Sequence, residues 1–171
     1  MKLTGFLFFI AGLALMAAGV VAGQEPPNPR IDYAGFANLS QNITALRESR
    51  RISETDFLHH AEDPKTVILD ARSREKYEQL HVKGAKHLNF ADFTEESLRK
   101  LIPEKHTRIL IYCNNNFSGE PRLLAPKAGL AALNIPVFIT LHAYGYTNVH
   151  ELAPLLDIKT TKIPFAGESA K

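Results

Sequence analysis

Two short and almost uninterrupted apolar runs constrain the fold most strongly, residues 66–69 (TVIL) and residues 108–112 (RILIY). Continuous rather than alternating apolarity is typical of a strand that is buried on both faces, as in a parallel sheet covered by helices. Asp70 directly follows the first run, and Cys113 directly follows the second. Because ligands of open α/β sheets bind outside the carboxyl ends of the strands, both residues are predicted to lie at the edge that holds the site.

Helix signals alternate with these strand signals along the chain. Ser53 resembles the start of a capping box and predicts a helix over residues 54–62. Residues 73–80 and 95–101 are predicted as two further helices. Residues 87–90 are predicted as another short strand. The alternation predicts an α/β fold with a central, mostly parallel sheet and helices on both faces.

The first 23 residues have the pattern of a secretory signal peptide. Lys2 is their only charged side chain, a long apolar run follows, and residues 20–22 (VVA) have the small residues of a cleavage site. We therefore expect a periplasmic or secreted protein that leaves the membrane after cleavage, although the run is also long enough to remain as an uncleaved anchor. Residues 24–50 are predicted to form a Pro-rich linker and an extension, with helical spacing of apolar residues from Phe36 onward.

Composition narrows the possible chemistry. The chain has 20 Lys and Arg residues against 18 Asp and Glu residues, and this balance gives no electrostatic reason to expect nucleic acid as a partner. The single cysteine, Cys113, excludes an intramolecular disulfide, a Cys-x-x-Cys redox pair and a thiolate-rich metal site. Adjacent residues such as His59 and His60 point in different directions on a helix, so no metal site is predicted there.

Several short motifs occur in a defined order between residues 69 and 113. A strand end of the form Leu-Asp-x-Arg lies at residues 69–72, and the motif His-x-x-Gly-Ala-x-x-x-Asn lies at residues 81–89. Cys113 then stands where rhodaneses carry the catalytic cysteine. The chain therefore resembles a rhodanese-like domain over residues 51–165, with residues 166–171 as a C-terminal tail.

The resemblance implies a sulfurtransferase without a cofactor. Cys113 would attack the outer sulfur of thiosulfate or of a persulfide donor, hold that sulfur as a persulfide and pass it to a thiol acceptor. The partners are thus expected to be a small sulfur-containing anion or thiol, with a protein as a possible acceptor, and the domain is expected to be monomeric. The residues expected to surround the bound sulfur are Asn114, Asn115, Asn116, Phe117, Ser118, Gly119, Arg122, Asp70 and Arg72.

The chain after Cys113 departs from the family pattern. The first arginine after Cys113 is Arg122. Gly119 occupies the position where a Cys-x5-Arg phosphatase of the same fold needs an arginine. A phosphatase is disfavoured because its arginine must contact phosphate at a fixed distance from the thiolate. The connection to Gly145 is also longer than is usual in the family, which predicts an insertion within residues 114–135.

Two secondary-structure predictions concern the end of this connection. The residues after Pro136 (VFIT) favour a strand by propensity, whereas the resemblance implies a helix that Pro136 can begin. We follow the resemblance and expect a helix there. Residues 126–133 are predicted as another short helix.

Alternatives remain open for the function and for the site residues. The domain could be a catalytically inert binding module whose inserted segment forms a recognition surface, or a single-cysteine redox or persulfide sensor. Cys113 itself could be a buried structural thiol at a strand end. For Asp70 and Arg72 we favour a structural role, an ion pair that fixes the strand end, over contact with substrate.

Overall fold

The computed structural model describes residues 28–170. The predicted signal peptide and the first part of the predicted linker lie outside these residues. Within the described range no helix is long and apolar enough to cross a bilayer. The helices in that range are α1 (Tyr33–Asn42), α2 (Thr44–Ser49), α3 (Glu54–Ala61), α4 (Arg74–Gln79), α5 (Glu95–Leu101) and α6 (Asn134–Ala143). The strands are β1 (Arg51–Ile52), β2 (Val67–Asp70), β3 (His81–Val82), β4 (Lys86–His87), β5 (Ile109–Tyr112), β6 (Phe117–Ser118), β7 (Val149–Leu152), β8 (Leu156–Asp157) and β9 (Phe165–Ala166).

A five-stranded parallel sheet in the order β1-β7-β5-β2-β4 forms the centre of the fold. Every residue of β2, β5 and β7 is buried, as expected of parallel strands covered on both faces. Asp70 pairs in register with Tyr112, so β2 and β5 end side by side. Cys113, the residue after Tyr112, therefore lies at the carboxyl edge of the sheet, close to Asp70.

The two faces of the sheet pack against separate hydrophobic cores. Leu69 and Ile111 belong to one core, which also contains buried residues of α5 and α6. Ile68 and Leu110 point to the other core, which contains Phe57 of α3. This alternation along each strand places helices on both faces. The predicted α/β architecture is confirmed.

Side-chain caps begin the helices near the places that the sequence predicts. The Ser53 hydroxyl accepts a hydrogen bond from the Asp56 amide at the start of α3. Thr94 and Ser97 form a reciprocal capping box at the start of α5, which covers residues 95–101 as predicted. Each cap satisfies an amide that would otherwise lack a partner at a helix start. The predicted helix over residues 73–80 is found as α4.

Several elements differ from their predicted extent. The predicted strand over residues 87–90 is reduced to the end of β4, because a 3₁₀ turn begins at Phe90. The helix predicted over residues 126–133 is wrong, since only Gly129–Ala131 forms a 3₁₀ turn. A single turn that contains glycine cannot offset the cost of nucleating an α-helix. The predicted extension contains two helices, α1 and α2, and Ile43 between them packs against the hydrophobic core.

Helix α6 resolves the conflict between propensity and resemblance in favour of a helix. Val137 and Phe138, which favour a strand by propensity, are buried in the core that covers one face of the sheet. Tertiary packing therefore overrides the β-propensity of this segment. Pro136 lies in the first turn of α6, where a missing amide hydrogen costs no helical hydrogen bond.

Candidate active site

Cys113 lies where β5 ends, and it lines a cavity of about 570 Å³. The residue is 2% exposed, so the thiol is accessible only from the cavity side. Arg72, Phe90 and Lys127 also line this cavity. The carboxyl edge of the sheet thus holds the cavity, as predicted for an open α/β fold.

Three backbone N–H groups lie close enough to the Cys113 sulfur to favour its negative charge and so oppose the rise in the pKa of the thiol. One belongs to Asn115 in the 3₁₀ turn directly after the cysteine, and the other two belong to Leu133 and Asn134 at the start of α6. The amino terminus of a helix has a partial positive charge and free N–H groups. This arrangement can stabilise negative charge on the sulfur, whether a thiolate or a persulfide.

Burial nevertheless dominates the acidity of the thiol. Loss of hydration raises the pKa of Cys113 above that of an ordinary cysteine, the three N–H groups oppose this rise, and the carboxylate of Glu151 adds to it. Burial therefore disfavours the nucleophilic thiolate in the resting protein, and the N–H groups partly offset this effect.

The side chains of Asn114 and Asn115 hold residues 125–127, which line the cavity, in place. Asn114 accepts a hydrogen bond from Arg72 Nη1 at 2.9 Å and donates to the Ala125 carbonyl at 3.0 Å. Asn115 donates to the Lys127 carbonyl at 2.7 Å and accepts from the Lys127 amide at 2.9 Å. Both predicted site residues line the cavity. Their amide groups are occupied in fastening residues 125–127.

Asn116 lies beneath the cavity rather than in its wall. Its side-chain oxygen accepts hydrogen bonds from the Cys113 amide and from Asn134 Nδ2, both at 2.9 Å. Its side-chain nitrogen donates to the Leu152 carbonyl at 2.7 Å. Asn116 is buried and thereby ties the ends of β5 and β7 to the start of α6.

Asp70 and Arg72 form a buried ion pair at the end of β2. Arg72 Nη2 lies 2.6 Å from Asp70 Oδ2, and the Tyr112 hydroxyl donates to the same oxygen at 2.5 Å. Burial alone lowers the pKa of Arg72, but its hydrogen bonds and charge interaction with Asp70 raise the pKa above the ordinary value. Arg72 reaches the cavity wall, whereas Asp70 is fully buried behind it.

The other four predicted site residues lie away from the cavity. Phe117 and Ser118 form β6, which pairs with β8 and leads the chain away from the sulfur. Phe117 packs in the core, and Gly119 follows with a φ of +95° that favours glycine. Arg122 is exposed and is not among the residues that line the cavity.

Several residues that contribute to the site were not predicted from the sequence, and four of them bring N–H groups or charge to it. Leu133 and Asn134 supply N–H groups to the sulfur, and Lys76 and Lys127 line the cavity. No acidic side chain of residues 28–170 lines this cavity, so its wall is cationic. The helix predicted near Pro136 was the only available signal for Leu133 and Asn134. No cluster of three metal-binding side chains occurs among the described residues.

The fold and the site together define an α/β domain with a strand-end cysteine facing a helix amino terminus. The model of the rhodanese-like domain family matches residues 53–153, and the chain belongs to this family. The rhodanese-like domain of the Alr3790 protein from Anabaena sp. is 20% identical over 70% of this chain and 80% of that domain, with a TM-score of 0.51. The BH2092 protein from Bacillus halodurans is 15% identical over 78% of this chain and 88% of that one, with a TM-score of 0.50. No curated protein matches the sequence.

Proposed function

We propose that the domain is a sulfurtransferase that carries a sulfane sulfur on Cys113. The observation that carries the proposal is the convergence of three backbone N–H groups on the Cys113 sulfur at the edge of a cavity. Such donors stabilise the anionic sulfur of a persulfide as well as a thiolate. Membership of the rhodanese-like family supports the same chemistry.

The proposed reaction has two displacement steps. The Cys113 thiolate attacks the outer sulfur of thiosulfate, a sulfur–sulfur bond forms to the cysteine, and the original bond breaks so that sulfite leaves with the electron pair. A persulfide donor would release its thiolate in the same way. An acceptor thiolate then attacks the outer sulfur of the persulfide and regenerates the Cys113 thiolate. Protons return through solvent, and no cofactor takes part.

The charges around the cavity favour an anionic donor. Lys76 and Lys127 line it, and the guanidinium of Arg72 is already paired with Asp70. The ammonium of Lys76 is also 3.9 Å from the exposed carboxylate of Glu75, so Lys127 supplies most of the positive charge that draws an anion toward the sulfur. We further propose that the domain acts as a monomer on a small sulfur-containing anion or thiol, outside the cytoplasm, after export through the predicted signal peptide.

A catalytically inert binding domain is the second candidate. The exposure of Cys113 is only 2%, and burial raises the pKa of its thiol. Both properties are typical of structural cysteines, which react slowly. In this alternative the segment held by Asn114 and Asn115 would form a recognition surface instead of a wall of a reaction site.

Intact mass spectrometry after incubation with thiosulfate tests the proposal. We expect a gain of one sulfur atom that cyanide removes and that is absent in Cys113→Ser. A persulfide or an organic polysulfide serves as the second donor, in case thiosulfate does not enter the cavity. If folded protein retains an unmodified thiol with each donor, the sulfurtransferase proposal is wrong and the binding domain is favoured.

A further inference from the structure

Arg47 makes a charged contact with the sheet from outside the matched family domain. It lies on α2, whereas the family model begins at residue 53. Arg47 Nη2 is 2.7 Å from both carboxylate oxygens of Glu151, and it donates a hydrogen bond to one of them. The Glu151 side chain is only 7% exposed and the Arg47 side chain 23%, so water screens this pair weakly. The exposed Glu48 is the other carboxylate near Arg47, at 3.7 Å.

Glu151 connects this contact to the sulfur site. It lies on β7 and pairs in register with Ile111 of β5, two residues before Cys113. Its carboxylate is 3.4 Å from Asn134 Nδ2, and the same nitrogen donates to Asn116 at 2.9 Å. A continuous chain of polar contacts therefore runs from Arg47 through Glu151 to the start of α6 and to the residue that holds the Cys113 amide.

The buried charge on Glu151 is unfavourable for a negative sulfur. A carboxylate near a thiol disfavours loss of the thiol proton, and a nearby cation reduces this effect. Arg47 supplies that cation at hydrogen-bond distance. Without it, the carboxylate would remain as a buried charge paired only with the amide of Asn134, which is a neutral group.

We propose that Arg47 is a positioning residue for Cys113, which offsets the buried charge of Glu151 and keeps that carboxylate hydrogen-bonded to Asn134 at the start of α6. The reactivity of the thiol thus depends on the N-terminal extension as well as on the rhodanese-like domain. This inference concerns thiol ionisation, so it does not require that the domain transfers sulfur.

The pH dependence of alkylation by iodoacetamide tests the inference directly, because Cys113 is the only cysteine in the chain. Arg47→Gln should raise the pH midpoint of the reaction by about one unit, which slows alkylation at pH 8 about tenfold. Glu151→Gln should lower the midpoint, and the double variant should react at close to the wild-type rate. Arg47→Lys should preserve much of the wild-type profile, since a single nitrogen of Arg47 makes both contacts.

Arg108→Gln is the matched control, because it removes a positive charge just before β5, at the opposite end of that strand from Cys113, where its contact is the part-exposed Asp63 at 3.3 Å. Circular dichroism checks that each variant is folded. A wild-type alkylation profile in folded Arg47→Gln refutes the inference, as does a double variant that reacts as slowly as Arg47→Gln. If Arg47→Gln does not fold, an unchanged midpoint in Glu151→Gln refutes it instead. Failure of sulfur transfer would leave these alkylation results unaffected, so the two proposals fail separately.

Discussion

Replacing Asp70 with asparagine should destabilise the fold strongly. Asp70 is fully buried, and its carboxylate receives hydrogen bonds from Arg72 Nε, Arg72 Nη2 and the Tyr112 hydroxyl. Asparagine keeps the size of the side chain but removes the charge and presents an N–H group to donors. Arg72 would keep the Leu80 carbonyl and the Asn114 oxygen as neutral acceptors. Removing one charge from a buried pair costs about 3–5 kcal/mol, and these acceptors favour the lower value of about 3 kcal/mol.

Urea denaturation followed by circular dichroism measures this free energy of unfolding, and thermal unfolding should show a decrease of about 6–12 °C in Tm. Asp63→Asn is the matched control. The Asp63 and Arg108 side chains lie 3.3 Å apart but are 44% and 32% exposed, so this pair is worth no more than about 1 kcal/mol. If Asp70→Asn costs no more than Asp63→Asn, the buried pair does not anchor the end of β2 as the structure indicates.

Three further predictions concern other parts of the molecule. Burial and cationic neighbours lower the pKa of His150 to about 4, below the value near 6.5 in the unfolded chain. The contribution of His150 to the free energy of unfolding should therefore be fully present above pH 6.5 and should decrease by up to about 3 kcal/mol toward pH 4. Urea denaturation of His150→Gln over the same pH range should not show this decrease. Gly167→Ala should lower the free energy of unfolding, measured by urea denaturation, by at least about 2 kcal/mol. The φ of Gly167 is +116°, and a Cβ there would lie 2.7 Å from a carbonyl oxygen of α4. Gly129→Ala, with nothing within 4 Å of a Cβ, should cost less than 1 kcal/mol. Replacing both Lys76 and Lys127 with Gln should slow persulfide formation from thiosulfate about two- to fivefold and leave alkylation by neutral iodoacetamide unchanged. Equal slowing of both reactions would mean that the lysines act on the thiol itself.

The parts of the fold that the sequence predicts are those determined by local signals. The run before Asp70 and the run before Cys113 are continuous and apolar, so their burial on both faces needs no knowledge of the neighbouring strands. The cap at Ser53 acts within one helical turn. The placement of Asp70 beside Cys113 then follows from the general geometry of parallel sheets.

The loop after Cys113 could not be placed from the sequence, because its path depends on a distant partner. Phe117 pairs with Leu156 in the β6–β8 ladder, and nothing local to Phe117 encodes that partner. The aromatic ring also packs against Tyr112 and Phe165 in the second core. Burial of this ring takes the chain away from the cavity. The predicted donors beyond Asn116 are therefore replaced by other groups.

The change in donors has a consequence for the chemistry of the sulfur. With the loop after Asn116 withdrawn, two of the three N–H groups at Cys113 come from the start of α6. The position of that helix start is coupled through Asn134 to Glu151, and Glu151 is held by Arg47 on the extension. A short loop that wraps its own cysteine would make the thiol insensitive to such distant charges. Here a contact between residues more than a hundred positions apart in the chain links the extension to the surroundings of Cys113, so mutations in the extension are expected to affect the candidate site.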